Sequence, residues 1–205
     1  MYTLYYSPGT CAIATQVILF ELGQEVKIVD RAHLSDFSEI TLVKAVPVLV
    51  DGERTLTEGA AIILYLLAKH QNSLLPTQGF ERQEAIQNLM FANATMHPAY
   101  SRLFFIAANI DDEVVKQSTL NKAADAISAL WDYVENNLQT KMYLGGDSPS
   151  AADILLAVYA TWGDYFPVDI RIGIRSRQMI ESVHVMPSFQ RTIEAQRIES
   201  EHNED

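Results

Sequence analysis

A chain of 205 residues that is 48% hydrophobic can fill one large core or two small ones without covalent staples, and its single cysteine, Cys11, makes no internal disulfide. With 15 Lys and Arg against 26 Asp and Glu, the formal net charge of −11 argues against nucleic acid or an anionic membrane as the main partner, because both select for clustered cations. The longest apolar run, Ala60 to Ala68, is about half of the roughly 18 residues that a spanning helix needs, and Met1-Tyr2-Thr3-Leu4 does not read as a leader, so a cytoplasmic location is expected.

Leu4-Tyr5-Tyr6 favours an extended strand, Pro8 and Gly9 break it, and a helical pattern runs from Cys11 to Leu22. This order puts the thiol at a helix N-terminus. Unpaired N–H groups and the positive end of the helix dipole stabilise an anion there, so the Cys11 pKa is expected to fall below the ordinary value of about 8.5. Gly23 ends the helix and Val26-Lys27-Ile28-Val29 resumes a β pattern, giving a βαβ unit with a parallel, right-handed pair of strands. Asp30 to Lys44 is polar and reads as a connecting loop with a short helix near Ser35 to Ile40. Val46-Pro47-Val48-Leu49-Val50 is a strand with proline near its start, Asp51-Gly52 signals a tight hairpin, and Arg54-Thr55-Leu56 returns. Thr57 is placed to cap a helix that carries Glu58 in its first turn and ends near His70. The order predicts a thioredoxin-like α/β domain over residues 1–71, closed by a linker from Gln71 to Gly79.

From residue 80 to 205 only helical patterns recur, which predicts an all-α second domain. A long helix is expected from Phe80 to Ala108 and a second from Asp112 to Leu138, paired as an antiparallel hairpin. Ser150-Ala151-Ala152-Asp153 has capping-box spacing ahead of an apolar helix from Ile154 to Trp162. Arg171, Arg175 and Arg177 read as a solvated loop face. Met186-Pro187 opens a last helix to Ile198, and Glu199 to Asp205 reads as a frayed acidic tail.

Three features carry chemistry. Cys11 at a turn-to-helix junction is favoured as a reactive or ligand-facing thiol over a buried small hydrophobe. In a thioredoxin-like layout a cis proline at Val46-Pro47 leaves the main chain of Val46 ready to bind an extended peptide. Glu58-Gly59 combines helix N-terminal N–H groups, which hold a carboxylate, with an acid that holds an ammonium group. Together they describe a site for a short peptide with a free amino acid end. His33, His70, His97, His184 and His202 show no metal-ligand spacing, so no metal is expected.

Tyr5-Tyr6-x-Pro8-Gly9-x-Cys11, Val46-Pro47-Val48-Leu49, Leu56-Thr57-Glu58-Gly59-Ala60-Ala61-Ile62 with Tyr65-Leu66, His97-x-x-Tyr100-Ser101-x-Leu103-Phe104, and Ser150-x-Ala152-Asp153 follow one another in the order of the glutathione S-transferases. Over nearly its whole length the chain resembles that family, and within it the bacterial beta class. The resemblance implies a homodimer with glutathione as co-substrate, which conjugates electrophiles in detoxification or exchanges disulfides through Cys11 in redox chemistry. It further implies catalytic roles for Cys11 and His97 and glutathione binding by Thr10, Val46, Pro47, Glu58 and Gly59. Tyr100, Phe104 and Trp162 would line the second-substrate pocket. The chain departs from the class at Ala12, where Ser is common, at Thr41 to Ala45 ahead of Val46, at Thr95, and at Pro98, where Lys is usual. These departures motivate an alternative, a non-catalytic binding or regulatory protein of the same fold.

Overall fold

The computed structural model describes residues 1–201, with side chains as far as Glu199. The chain divides into two compact units, one built from Met1–Ser73 together with 184–201, the other from Leu74–Val183.

In the first unit, β1 (Tyr2–Tyr6), β2 (Val26–Asp30), β3 (Val48–Asp51) and β4 (Arg54–Leu56) form one mixed sheet in the order β2-β1-β3-β4. β1 runs parallel to β2 and antiparallel to β3, which pairs antiparallel with β4. The expected crossover is α1 (Ala12–Glu21), and α2 (Gly59–Lys69) follows the hairpin. Tyr2, Leu4 and Tyr6 are buried at the strand period of two, and Tyr2 and Leu4 meet Leu19, Leu49, Ile62 and Leu66 in the core. Each such leucine contributes about 1.5–3 kcal/mol on full burial, which is what holds helix to sheet.

Every residue of α1 from Ala12 to Leu19 is buried, including Thr15 and Gln16, because another helix covers the face that would otherwise meet solvent. That helix is α8 (Pro187–Glu201), the last in the chain. Arg191 lies over the Phe20 ring at 4.0 Å, and Gln196 Nε2 donates to Gln16 Oε1 at 2.9 Å, so the two helices run antiparallel. By its contacts α8 groups with the sheet-bearing unit. Its end also corrects the expected frayed tail, since Glu199 lies inside α8; residues 202–205 lie outside the described residues.

The second unit holds α3 (Gly79–Phe91), α4 (His97–Asn109), α5 (Glu113–Asn137), α6 (Ala151–Ala160) and most of α7 (Ile174–His184). The single long helix expected over 80–108 is interrupted by a π-helical segment, Ala92–Met96. Pro98 has no N–H to give the Ala94 carbonyl four residues back, which is where the ladder widens. α4 packs along α5 as expected, and Asp112 caps α5 by accepting from Val115 N at 2.9 Å.

The Ser150 and Asp153 pair forms the expected box and reaches further. Asp153 accepts from Ser150 N at 2.8 Å, Ser150 Oγ at 2.7 Å, Leu144 N at 2.8 Å and Gly145 N at 3.3 Å. Burial raises the pKa of its carboxyl, against the pull of these donors.

α7 lies where a loop was expected. Glu135 of α5 caps its start, accepting from Arg175 N at 3.2 Å, from Ser176 N at 2.8 Å and from Ser176 Oγ at 2.8 Å. Burial pushes the Glu135 carboxyl up, but the Ser176 and Arg175 donors outweigh it and leave the pKa below the usual carboxylate value. Gly173 lies so close that a Cβ there would overlap that carboxyl. Of the three arginines, Arg171 pairs with Asp125 and Arg175 with Glu135, while Arg177 Nε donates to the Ile172 carbonyl. Among the described residues no helix is long and apolar enough to cross a membrane.

Candidate functional site

β1 delivers the chain to a turn closed on itself. Thr10 donates to the Ser7 carbonyl from both its N–H (3.3 Å) and its Oγ1 (2.7 Å), Gly9 takes a positive φ of 72°, and Ala12 N donates to Thr10 Oγ1 at 3.4 Å. Cys11 follows as the N-cap of α1, half-buried. Its Sγ donates to the carbonyl of Val46 at 3.6 Å.

The Val46–Pro47 peptide bond is cis, and the β1–β3 ladder ends at the Tyr5 and Val48 pair, so the main chain of Val46 lies beyond the sheet. Lys44, just upstream, has a φ of 56°, and Arg31 donates from its guanidinium to the Lys44 carbonyl at 2.9 Å. Nothing in the composition of Thr41 to Ala45 pointed to that anchor, because its donor comes from the segment after β2.

The helix after β4 starts differently from the expectation. Glu58, not Thr57, is the N-cap of α2, with a φ of 66° and its carbonyl accepting from Ile62 N at 2.9 Å. Glu58 is exposed, and Gly59 opens the helix behind it. A non-glycine residue held in this region costs about 1–3 kcal/mol, and such strain concentrates where a side chain is aimed at a task.

The thiol itself is not the depressed group that its position predicts. Burial pushes the Cys11 pKa up to about 11; the N–H groups of Cys11 and Ala12 pull it down, as a helix start should, and the charge of Glu58 pushes it up again. Desolvation outweighs the helix end, so Cys11 is a protonated thiol at neutral pH.

The other candidates cluster in the second unit. His97 opens α4 with its ring 5.2 Å from those of Tyr159 and Trp162, and Ser101 Oγ lies 3.4 Å from its Nδ1. Burial lowers the His97 pKa, leaving a neutral imidazole at pH 7. Tyr100 and Phe104 both meet the Trp162 ring, at 6.3 and 6.0 Å. Only Phe104 is open to solvent, at 43% exposure, whereas Tyr100 is wholly buried and its hydroxyl accepts from Trp131 Nε1 at 2.8 Å. Tyr100 is thus a core residue that supports Trp162, itself buried, and no local pattern pointed to its Trp131 partner. Among the described residues no group of three or more His, Cys, Asp or Glu is arranged to hold a metal ion.

Comparison with known proteins matches this geometry. Residues 2–74 match the family model of the glutathione S-transferase N-terminal domain, and residues 93–176 that of the C-terminal domain. A glutathione S-transferase of Xanthomonas campestris is 31% identical over 173 residues, spanning 82% of this chain and 85% of that one. Among solved structures, the bacterial transferase BphK in a ternary complex superposes with a TM-score of 0.82 at 29% identity, covering 95% of this chain and 98% of that chain. The beta-class enzyme of Sphingomonas chungbukensis gives 0.81 at 25% identity over the same shares, 95% and 98%. With a thioredoxin-like sheet, a cis Val46–Pro47 bond facing Cys11, a helical second unit and these matches over most of its length, the chain belongs to the glutathione S-transferase family.

Proposed function

We propose that the protein is a cytoplasmic glutathione transferase that joins glutathione to electrophilic carbon, as in detoxification, with Cys11 donating a hydrogen bond to the glutathione sulfur. The observation that carries this reading is the Cys11 thiol directed at the Val46 carbonyl beside the cis peptide bond. Val46 would pair its main chain with the cysteinyl part of glutathione, Pro47 would keep that edge open, and Thr10 would shape the turn. The N–H groups at the start of α2, from Gly59 on, would hold the γ-glutamyl carboxylate, and Glu58 its ammonium group. A sulfur bound there loses its proton more readily because the Cys11 S–H and the N-terminal N–H groups of α1 both favour an anion. The resulting thiolate forms the new carbon–sulfur bond and the leaving group departs with its electron pair. A catalytic role is also proposed for His97, whose pKa burial lowers, and Phe104, Trp162 and Tyr100 are proposed as contact, wall and support for an apolar substrate.

Disulfide exchange through Cys11 is the slower alternative chemistry, since it needs a Cys11 thiolate. The test compares wild type, Cys11→Ser and Cys11→Ala for conjugation of an aryl halide and for reduction of a glutathione mixed disulfide. Cys11→Ser, which keeps a donor, should stay within about threefold of wild type in conjugation, and Cys11→Ala should lose about tenfold, the worth of one hydrogen bond to a charged group. Both variants should abolish disulfide reduction. Unchanged rates for Cys11→Ala in both assays would remove the role given to the thiol, and no heat of binding at millimolar glutathione would favour a non-catalytic binding protein. We also propose a homodimer, as the family resemblance implies; light scattering should return twice the chain mass of 23.0 kDa, and a monomer mass would refute it.

A further inference from the structure

β1 ends at Tyr6, the residue before the turn that carries Cys11, and Tyr6 is wholly buried. Its hydroxyl donates to Glu199 Oε2 at 2.8 Å, across a separation of 193 residues. The other oxygen of that carboxylate, Oε1, lies 3.6 Å from Nδ1 of His33, in the 3-10 turn Arg31–His33 that follows β2. Tyr6 is also the register partner of Asp30, whose Oδ1 accepts from Ala32 N at 2.9 Å and so starts that same 3-10 turn. One carboxylate from α8 therefore joins the C-terminal ends of two parallel strands, at the end of the sheet from which the thiol turn leaves.

The antiparallel seating of α8 on α1 explains how it gets there. Arg191 meets Phe20 near the C-terminal end of α1, Gln196 meets Gln16 in its middle, and Glu199 reaches the end where Cys11 stands. From Tyr6 the chain has one residue, Ser7, before Thr10 closes back on it with two hydrogen bonds, and Thr10 in turn receives Ala12 N. Tyr6 is thus joined to the thiol turn through Ser7, whose carbonyl takes both Thr10 donors, and Cys11 at the end of that turn donates to the Val46 carbonyl.

We propose that Glu199 is a positioning residue for the thiol turn: by holding the Tyr6 hydroxyl it fixes the Ser7 to Cys11 segment, and through it the placement of the Cys11 sulfur against the Val46 edge. The carboxylate is well suited to this, because a hydrogen bond from a phenol to an ionised acceptor is stronger and more directional than one between neutral groups. The assignment of a task to the thiol rests on the transferase reading above, but the placement of the thiol does not, and the two are separable by experiment.

The test measures the rate of iodoacetamide alkylation of Cys11 across pH by mass spectrometry, in the full chain, for wild type, Glu199→Ala, Glu199→Gln and Tyr6→Phe, alongside the thermal midpoint of each and, where activity is present, kcat and KM for glutathione. Glu199→Ala and Tyr6→Phe should change the alkylation rate at fixed pH by at least about fivefold and lower kcat/KM by about tenfold, a shift in keeping with a lost charge-assisted hydrogen bond at a positioned group. Glu199→Gln keeps an acceptor for Tyr6 without its charge and should fall between wild type and Glu199→Ala. A merely structural Glu199 would lower the thermal midpoint and leave the alkylation profile of the folded protein where it was, and that result overturns the proposal. If Glu199→Ala does not fold, Tyr6→Phe, which removes one oxygen from inside the sheet, reads the same coupling. A wild type without transferase activity would sink the proposed function and leave the alkylation comparison to decide this inference alone.

Discussion

Replacing Asp153 by alanine is expected to destabilise the helical unit by about 3–5 kcal/mol, the range seen when a buried charged acceptor is removed and its donors are left behind. Four donors converge on this carboxylate: Leu144 N, Gly145 N, Ser150 N and Ser150 Oγ. Asp153 and Ser150 are both buried, at 0% and 4% exposure, so water cannot take over the bonds to Ser150. α6 behind them is buried from Ala151 to Tyr159 and holds the unit's centre, so losing its first turn exposes the helix on which that core depends. Asp153→Asn should recover less than half of the loss, because its amide would present hydrogens to groups that are themselves donors. Urea unfolding with unchanged slope measures the difference; a loss under 1 kcal/mol for the alanine variant would show that the four bonds do not hold the helix start.

The second large effect concerns the thiol. With a pKa raised to about 11, Cys11 at pH 7 should be ionised to about one part in ten thousand, several hundredfold below a free thiol. Alkylation of Cys11 in the ligand-free protein should therefore rise steadily through pH 8 and 9 and level off only around pH 11; an inflection near 7 would contradict the structure. A linked effect on stability has a definite sign. The folded pKa lies above the unfolded one, so the native state binds the proton more tightly, and the contribution is fully present below the unfolded pKa and lost as pH rises through the folded value. Wild type should lose stability between about pH 9 and 11 relative to Cys11→Ala, and no difference in that window would count against a buried, protonated thiol.

What could be read from the sequence was whatever depends on neighbours in the chain. Tyr2 to Tyr6, Val26 to Asp30 and the Asp51-Gly52 hairpin are local patterns, and the sheet follows them. Ser150 and Asp153 stand at a spacing that means one thing at a helix start. The misses share a different cause: each depends on a group brought from far away. α7 has a polar sequence with no capping residue of its own, and Glu135, supplied by α5, caps it instead. The helix start at Cys11 was legible, yet the pKa was not, because the burial that outweighs it comes from the fold around the thiol, including the Val46 edge 35 residues on. Tyr100 carries a polar handle that suits a pocket wall until Trp131, 31 residues away, occupies it. Thr57 is a better capping residue than Glu58 by type, and what moved the helix start was a backbone conformation that residue type does not announce.

The seat of α8 bears on how the protein is made. β1, α1, β2, β3, β4 and α2 leave the ribosome together, but the face of α1 that holds Gln16 waits for residues 184–201, which emerge only after the whole of Leu74–Val183. Until then the sheet-bearing unit is an incomplete body with an uncovered helix. A released chain truncated after Val183 should resist protease in the helical unit and be cut within the sheet-bearing one, whereas the full chain should be protected in both.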